Sequence, residues 1–240
     1  MTPVLQISGL HKRYQSLRPL RIQELTVAAG ERVAISGFDA GAAEVLVNLV
    51  TGRSLPDEGV VRVLGQSTAE ITDGDAWLAS LDRFGIVSPR GVLLEAATIE
   101  QNLAMPLTLA IDPIPADVVG RVAVLARDCG IEAGAGINGR SEWLHRVTGE
   151  VPAHVRARVH LARAVALSPA LLIMEHPGAD LSAAERVDLA KQVASVAEAA
   201  RLAALIITAD DEFAKVSAHR ALRLHASTGA LKPMKKGWFR

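Results

Sequence analysis

The chain alternates between two hydrophobic rhythms. LQISGL and LRIQELTVAAG place an apolar residue at roughly every second position, the pattern of antiparallel strands with one wet face. ERVAISG is short, β-branched and bounded by Gly30 and Gly37, which predicts a buried strand, and GAAEVLVNLVTG then runs at helical spacing. SLPDEGVVRVLGQ carries a Pro-Asp-Glu-Gly turn and a short strand. From Thr98 to Gly149 the pattern turns helical: TIEQNLAMPLTL, a proline-rich break at Ile111–Pro115, then ADVVGRVAVLARDCGI. Beyond it, VRARVHLARAVALS predicts an amphipathic helix, PALLIMEHP a buried strand, SAAERVDLAKQVASVAEAARL a long helix and AALIITADD another buried strand. Strands alternating with helices imply a parallel sheet. No internal repeat or low-complexity tract interrupts them.

Composition narrows the class without naming a partner. Half of the 240 residues are hydrophobic and 22% are charged, enough for a buried core and a solvated surface. Lys plus Arg and Asp plus Glu are both 26, so there is no basic excess of the kind that serves nucleic acid. The single cysteine, Cys129, has no partner for an intramolecular disulfide and reads as a small core residue. The start, MTPVLQISGLHKRYQ, lacks the apolar core of a signal peptide, and ARAVALSPALLIM is broken well short of the ~20 residues that span a bilayer. The expectation is a cytoplasmic protein that crosses no membrane by itself.

The order of these segments carries a resemblance. From about Leu5 to Arg223 the chain resembles the ATP-binding cassette subunit of ABC transporters, in which a glycine-rich loop, a glutamine loop, an LSGGQ signature, an acidic strand end, a D-loop and a switch histidine follow in fixed order. ERVAISGFDAGAAEVLVNLVTGRSLPDEGVVRVLG is similar to the first block and VRARVHLARAVALSPALLIMEHPGADLS to the block from signature helix to D-loop. The resemblance implies an α/β, P-loop NTPase-like fold with a parallel core sheet, an N-terminal antiparallel β patch and a helical subdomain. On that frame the chain is a single cassette-like domain: residues 1–88 and 156–225 form the core lobe, about 89–155 the helical insert and 226–240 a basic, aromatic tail.

A working phosphate loop, G-x-x-x-x-G-K-[ST], surrounds phosphates with backbone amides, neutralises them with its lysine and holds Mg²⁺ with its hydroxyl. Here Gly37, Phe38, Asp39, Ala40, Gly41, Ala42, Ala43, Glu44 and Val45 occupy the loop, with Ala42 at the second glycine, Ala43 at the lysine and Glu44 at the hydroxyl. At an effective dielectric of ~20, a second negative charge ~4 Å from Glu44 meets about 4 kcal/mol of repulsion, about a thousandfold in affinity. The glutamine place falls on Pro89, which cannot donate, and the signature on Val151, Pro152, Ala153, His154 and Val155, without glycines or hydroxyl. Glu175 stands at the Mg²⁺-linked aspartate, His176 at the water-activating glutamate and Ala209 at the switch histidine. Tyr14 matches the aromatic that stacks on adenine, although a tyrosine there also suits plain packing.

The expectation from these residues is a pseudo-ATPase with a vestigial nucleotide pocket. ATP and Mg²⁺ are weak cofactor candidates, and no metal site is expected, because Glu175, His176 and Asp180 lack a third ligand at ligand spacing. His145, His154 and His160 read as surface or interface histidines. The tail KPMKKGWFR, with four basic residues beside Trp238 and Phe239, suits lipid headgroups, an anionic partner or a solvated end. The implied partners are a membrane permease, a second cassette in a homo- or heterodimer, or both, at the inner face of the cytoplasmic membrane; TIEQNLAMPL resembles cassettes of lipid and lipoprotein export. Two other readings stay open: an ATPase with divergent motifs using His176 as base, and a soluble scaffold or ligand sensor without a permease.

Overall fold

The computed structural model describes residues 3–71, 73–131 and 143–234. Its centre is a six-stranded sheet in which β6 (Phe84–Val87), β7 (Leu171–Glu175), β8 (Ala203–Ile207), β3 (Arg32–Ser36) and β9 (Arg220–His225) run parallel, and β10 (Ala230–Pro233) closes one edge antiparallel to β9. β3, β7 and β8 are buried at every position, as their central apolar runs predict for parallel strands covered on both faces, with Arg32, Ser36 and Glu175 buried at the strand ends. Their side chains alternate between two cores: Val33, Ile35, Leu171, Ile173, Leu205 and Ile207 enter one, while Ala34, Leu172, Met174 and Ile206 enter the other.

The first core is closed by α1 (Ala40–Val50) and by a second, antiparallel sheet of order β2-β1-β4-β5, made of β1 (Leu5–Lys12), β2 (Leu20–Val27), β4 (Glu58–Val63) and β5 (Gln66–Ser67). The Leu5↔Val27 and Leu10↔Ile22 pairs set the register that points Leu5, Ile7, Ile22 and Leu25 inward. The second core is helical. α3 (Ile99–Ala104), α4 (Ala116–Asp128), α5 (Ala153–Val165) and α6 (Ala183–Ala199) cover that face, with α7 (Asp211–Ser217) beside α6 and α2 (Gly74–Leu81) on the outside. Cys129 caps α4 in this core, and burial, with Asp128 adding to it, pushes its thiol up to about 12.

Two helix ends differ from the apolar pattern. TIEQNLAMPLTL yields only six helical residues, since Pro106 supplies no N–H for a further turn and the chain turns at Met105–Leu107. α5 starts earlier than its amphipathic stretch, at Ala153 with Pro152 as its cap, so the signature place is itself the helix entry. The stretch read as a tail from 226 contains β10, while Trp238 and Phe239 lie outside the described residues.

Candidate functional site

The site forms where β3, β6, β7 and β8 end. β3 delivers Ser36 into Gly37, whose φ of +88° and whose position, 2.8 Å from the Leu224 carbonyl oxygen to any added Cβ, leave no room for a side chain. Phe38 turns into the core, and Asp39 begins α1. Its carboxylate accepts the Ala42 N–H at 2.7 Å and its carbonyl accepts the Ala43 N–H at 2.9 Å. The start of α1 is thus capped by an anion of its own chain, the arrangement an N-cap aspartate favours. Ala40 and Gly41 are exposed, Ala42 and Ala43 are buried, and Glu44 and Val45 are half-buried. Tyr14 leans on this turn, its ring 3.4 Å from where a Cβ on Gly41 would stand.

Val87 of β6 lies in register with Met174 of β7, so the residues that follow, Ser88–Arg90 and Glu175, meet at the same edge. The Ser88 hydroxyl accepts the Arg90 N–H at 3.2 Å and the Ser88 carbonyl accepts the Gly91 N–H at 2.9 Å, a tight turn around Pro89. From it the Arg90 guanidinium reaches back. Nη1 donates to Glu175 Oε1 at 3.1 Å, Nη2 donates to Glu175 Oε2, and Nη1 stands 3.4 Å from Glu44 Oε2. The Glu175 side chain is 1% exposed, against 43% for Arg90 and 42% for Glu44. One cation therefore joins a buried and a half-buried carboxylate.

The remaining positions lie around this pair without joining it. His176 follows Glu175 at a φ of +45°, gives its N–H to the Ile207 carbonyl at 2.8 Å, and has a buried Nε2 that meets no hydrogen-bond partner among the described residues. Ala209 is exposed just past β8, between buried Thr208 and half-buried Asp210. Val151 and Val155 are buried, Pro152 is exposed and Ala153 half-buried, while His154 Nδ1 sits 3.2 Å from Glu185 Oε1 at the start of α6. His145 makes a similar contact with Glu100, at 3.3 Å. Among the described residues no three His, Cys, Asp or Glu side chains converge to hold a metal ion.

A search of protein-family models finds no match. Relatives are found directly. The chain is 33% identical over 213 residues to the lipoprotein-releasing system ATP-binding protein LolD of Chromohalobacter salexigens, covering 86% of this chain and 85% of that protein. It is 31% identical over 217 residues to LolD of Alcanivorax borkumensis, covering 89% and 91%. The chain belongs to the ATP-binding proteins of ABC transporters. It is also 30% identical over 206 residues to the Fe(3+) ions import ATP-binding protein FbpC of Mesorhizobium japonicum, covering 86% of this chain and 53% of that protein. It spans about half the length of such iron-import relatives. Solved structures share the fold at low identity: cbiO1 from Clostridium perfringens at a TM-score of 0.78 and 17% identity, covering 96% and 87%, and the cassette MJ0796 bound to ADP and Pi at 0.74 and 17%, covering 98% and 100%.

On the cassette frame, the structure brings Tyr14, the loop from Gly37 to Val45, and Glu175 together, and leaves His176 and Ala209 beside them. Arg90 escaped the sequence reading. The available signal was a basic residue one place beyond Pro89, at the end of a strand next to the acidic one. A cavity of about 300 Å³ opens behind the pair, lined by Pro89, Arg156, His160, Glu175, His176 and Asp180. Burial holds His160 below the usual histidine range, Arg163 and Arg156 adding to the shift and Asp180 opposing it. The folded imidazole takes a proton less readily than the unfolded one. Its contribution to stability is therefore complete above the unfolded value of about 6.5 and is lost as pH falls toward the folded one. His160→Asn should show a smaller drop in melting temperature between pH 7 and pH 5 than the natural protein; an equal drop contradicts this.

Proposed function

We propose that this cassette does not hydrolyse ATP and serves a membrane permease, a second cassette or both as a structural or regulatory subunit. One observation carries the reading: the start of α1 is closed by the Asp39 carboxylate, and buried Ala43 and half-buried Glu44 occupy the places of lysine and hydroxyl. A helix start binds phosphate through free amides and positive potential. Here the Ala42 amide is already taken by a carboxylate, Ala43 brings no charge, and Glu44 opposes a phosphate. The residues present do not fit Mg-ATP, and phosphoryl transfer depends on charge stabilisation from such groups.

The remaining shape supports a binding role. On this reading the core lobe spans 1–88 and 156–225 and the helical insert about 89–155, while β10 (Ala230–Pro233) belongs to the sheet and the sequence after it is basic and aromatic. The relatives named for lipoprotein release make lipid or envelope-component transport the favoured setting. No helix among the described residues is long and apolar enough to cross a membrane, so the proposal places the subunit on the cytoplasmic face through its permease.

Calorimetric titration of the purified protein with Mg-ATP tests the reading. No heat is expected from the natural protein, with binding gained in the Ala43→Lys, Glu44→Ser double variant. Micromolar binding by the natural protein, or steady phosphate release that His176→Ala abolishes, would make it a divergent ATPase instead.

A further inference from the structure

We infer that Arg90 is this cassette's resident cation: its guanidinium holds Glu44 of α1 and Glu175 of β7 together, and so fastens the Ser88–Leu94 segment to the core without metal or nucleotide. The inference builds on the proposed non-hydrolysing role and gives the site a structural task of its own.

Glu175, a carboxylate 1% exposed at the end of a fully buried strand, is costly unless it is paired and hydrogen-bonded. Both of its oxygens are met by the two terminal nitrogens of Arg90, the forked geometry that a guanidinium offers and an ammonium does not. Glu44 approaches the same guanidinium from α1. Two carboxylates from elements far apart in sequence thus converge on one positive centre, the task a divalent ion performs between acidic side chains. Arg90 supplies one charge where such an ion supplies two, so the cluster keeps a net negative charge and repels phosphate.

The cation arrives on a segment that is pinned along its length. Ser88 turns the chain under Arg90, the Val92 carbonyl accepts from Arg163 Nη1 at 2.7 Å, and both backbone groups of Leu94 bond to Asn102 at 2.9 Å. Between these anchors, Val92 and Leu94 present apolar side chains 75% and 42% exposed. With Arg90 as the internal link, this surface keeps one geometry whether or not nucleotide is present.

Thermal unfolding of four proteins, each with and without millimolar Mn²⁺, tests the inference: the natural protein, Arg90→Ala, Glu175→Gln and the double variant. Removing one partner of a buried pair should lower the melting temperature of Arg90→Ala by about 10 °C. The double variant should regain most of that loss, because no buried charge is left unpaired. Mn²⁺ should raise Arg90→Ala, whose two carboxylates are then free to share a cation, and leave the natural protein unmoved. The inference is overturned if Arg90→Ala melts with the natural protein, if the two single losses simply add in the double variant, or if Mn²⁺ raises the natural protein as much as Arg90→Ala. Should Arg90→Ala fail to fold, Arg90→Lys takes its place, expected to lose part of the stability and to respond less to Mn²⁺; a melting temperature equal to the natural protein's counts against the forked contact. None of these arms uses nucleotide. Mg-ATP binding by the natural protein would therefore defeat the non-hydrolysing role while leaving the resident cation to stand or fall on its own result.

Discussion

Asn102→Leu is expected to cost about 3 kcal/mol and to lower the melting temperature by about 9 °C. Asn102 is completely buried on α3, and its side chain joins three pieces of chain. The amide nitrogen donates to the Leu94 carbonyl at 2.9 Å, the Thr98 carbonyl at 3.1 Å and the Thr148 hydroxyl at 2.9 Å, and the amide oxygen accepts the Leu94 N–H at 2.9 Å. Leucine fills similar space but returns none of these bonds. The Leu94 N–H and the Thr148 hydroxyl would then lose a partner, and for the buried Thr148 hydroxyl the full desolvation penalty applies. Thr148 is fully buried as well, so Asn102→Leu combined with Thr148→Val should lose less than the sum of the two single losses. Hydrogen exchange should quicken first at Leu94 and around the Thr98↔Val147 bridge, which join the exit of the Arg90 segment to the chain leading into α5. Unchanged exchange there, with an unchanged melting temperature, would show that the network carries no load.

Gly85→Ala should be comparably severe for a different reason. Gly85 lies inside β6, and a Cβ there would sit 2.3 Å from the Ala164 carbonyl oxygen and 3.0 Å from both the Ala164 carbonyl carbon and Pro169 Cγ. The obstacle is the backbone of α5, which has no rotamer to change. Overpacking a core usually costs about 1–3 kcal/mol, and a clash with backbone belongs at the upper end, about 6–12 °C in melting temperature for a chain of this size. The strain bears on the site because β6 leads directly to Ser88, Pro89 and Arg90. Gly120→Ala is the control. Gly120 is exposed within α4 and nothing stands within 4 Å of an added Cβ, so alanine there should stabilise by about 0.5–1 kcal/mol through helix propensity alone. If Gly85→Ala melts at or above the natural temperature, the close approach of β6 and α5 is more compliant than these distances allow.

The two variants mark the boundary between what a linear reading reaches and what it does not. β3, β7 and β8 were legible because a strand covered on both faces is apolar at consecutive positions, as Val33–Ile35, Leu171–Met174 and Ala203–Ile207 are. α6 was legible from its helical run, which Ser182 opens and whose first turn holds Glu185, the two side chains forming a capping box. β6, α2 and α7 were not read: FGIV is too short to show a period, α2 buries no residue, and α7 is a single short run opened by its Asp210 cap. TIEQNLAMPLTL shows the reverse error, an apolar rhythm outlasting the helix because Pro106 ends it.

The site divides along the same line. Counting along the chain singled out Gly37 to Glu44, Pro89 and Glu175, and the structure sets Glu44 and Glu175 on one guanidinium with Pro89 in the turn before it. Counting also exposed the absent lysine, because a missing residue type can be read without coordinates. That Asp39 spends its carboxylate on the Ala42 amide was within reach, an aspartate before a helix being a standard cap. Arg90 was beyond it. The bond to Glu175 crosses 85 residues, and among the 26 basic residues nothing in the order of letters says which one meets a buried acid. Periodicity, breakers and motif spacing are local properties, so the sequence alone determined the central strands, the main helices and which residue types stand in the loop from Gly37 to Val45. Which charge neutralises Glu175, which amide satisfies Leu94 and where α5 crosses β6 depend on groups brought together only when the chain closes on itself. Those pairings the tertiary structure decided, because burial makes an unpaired charge or amide costly and leaves one arrangement that satisfies them together.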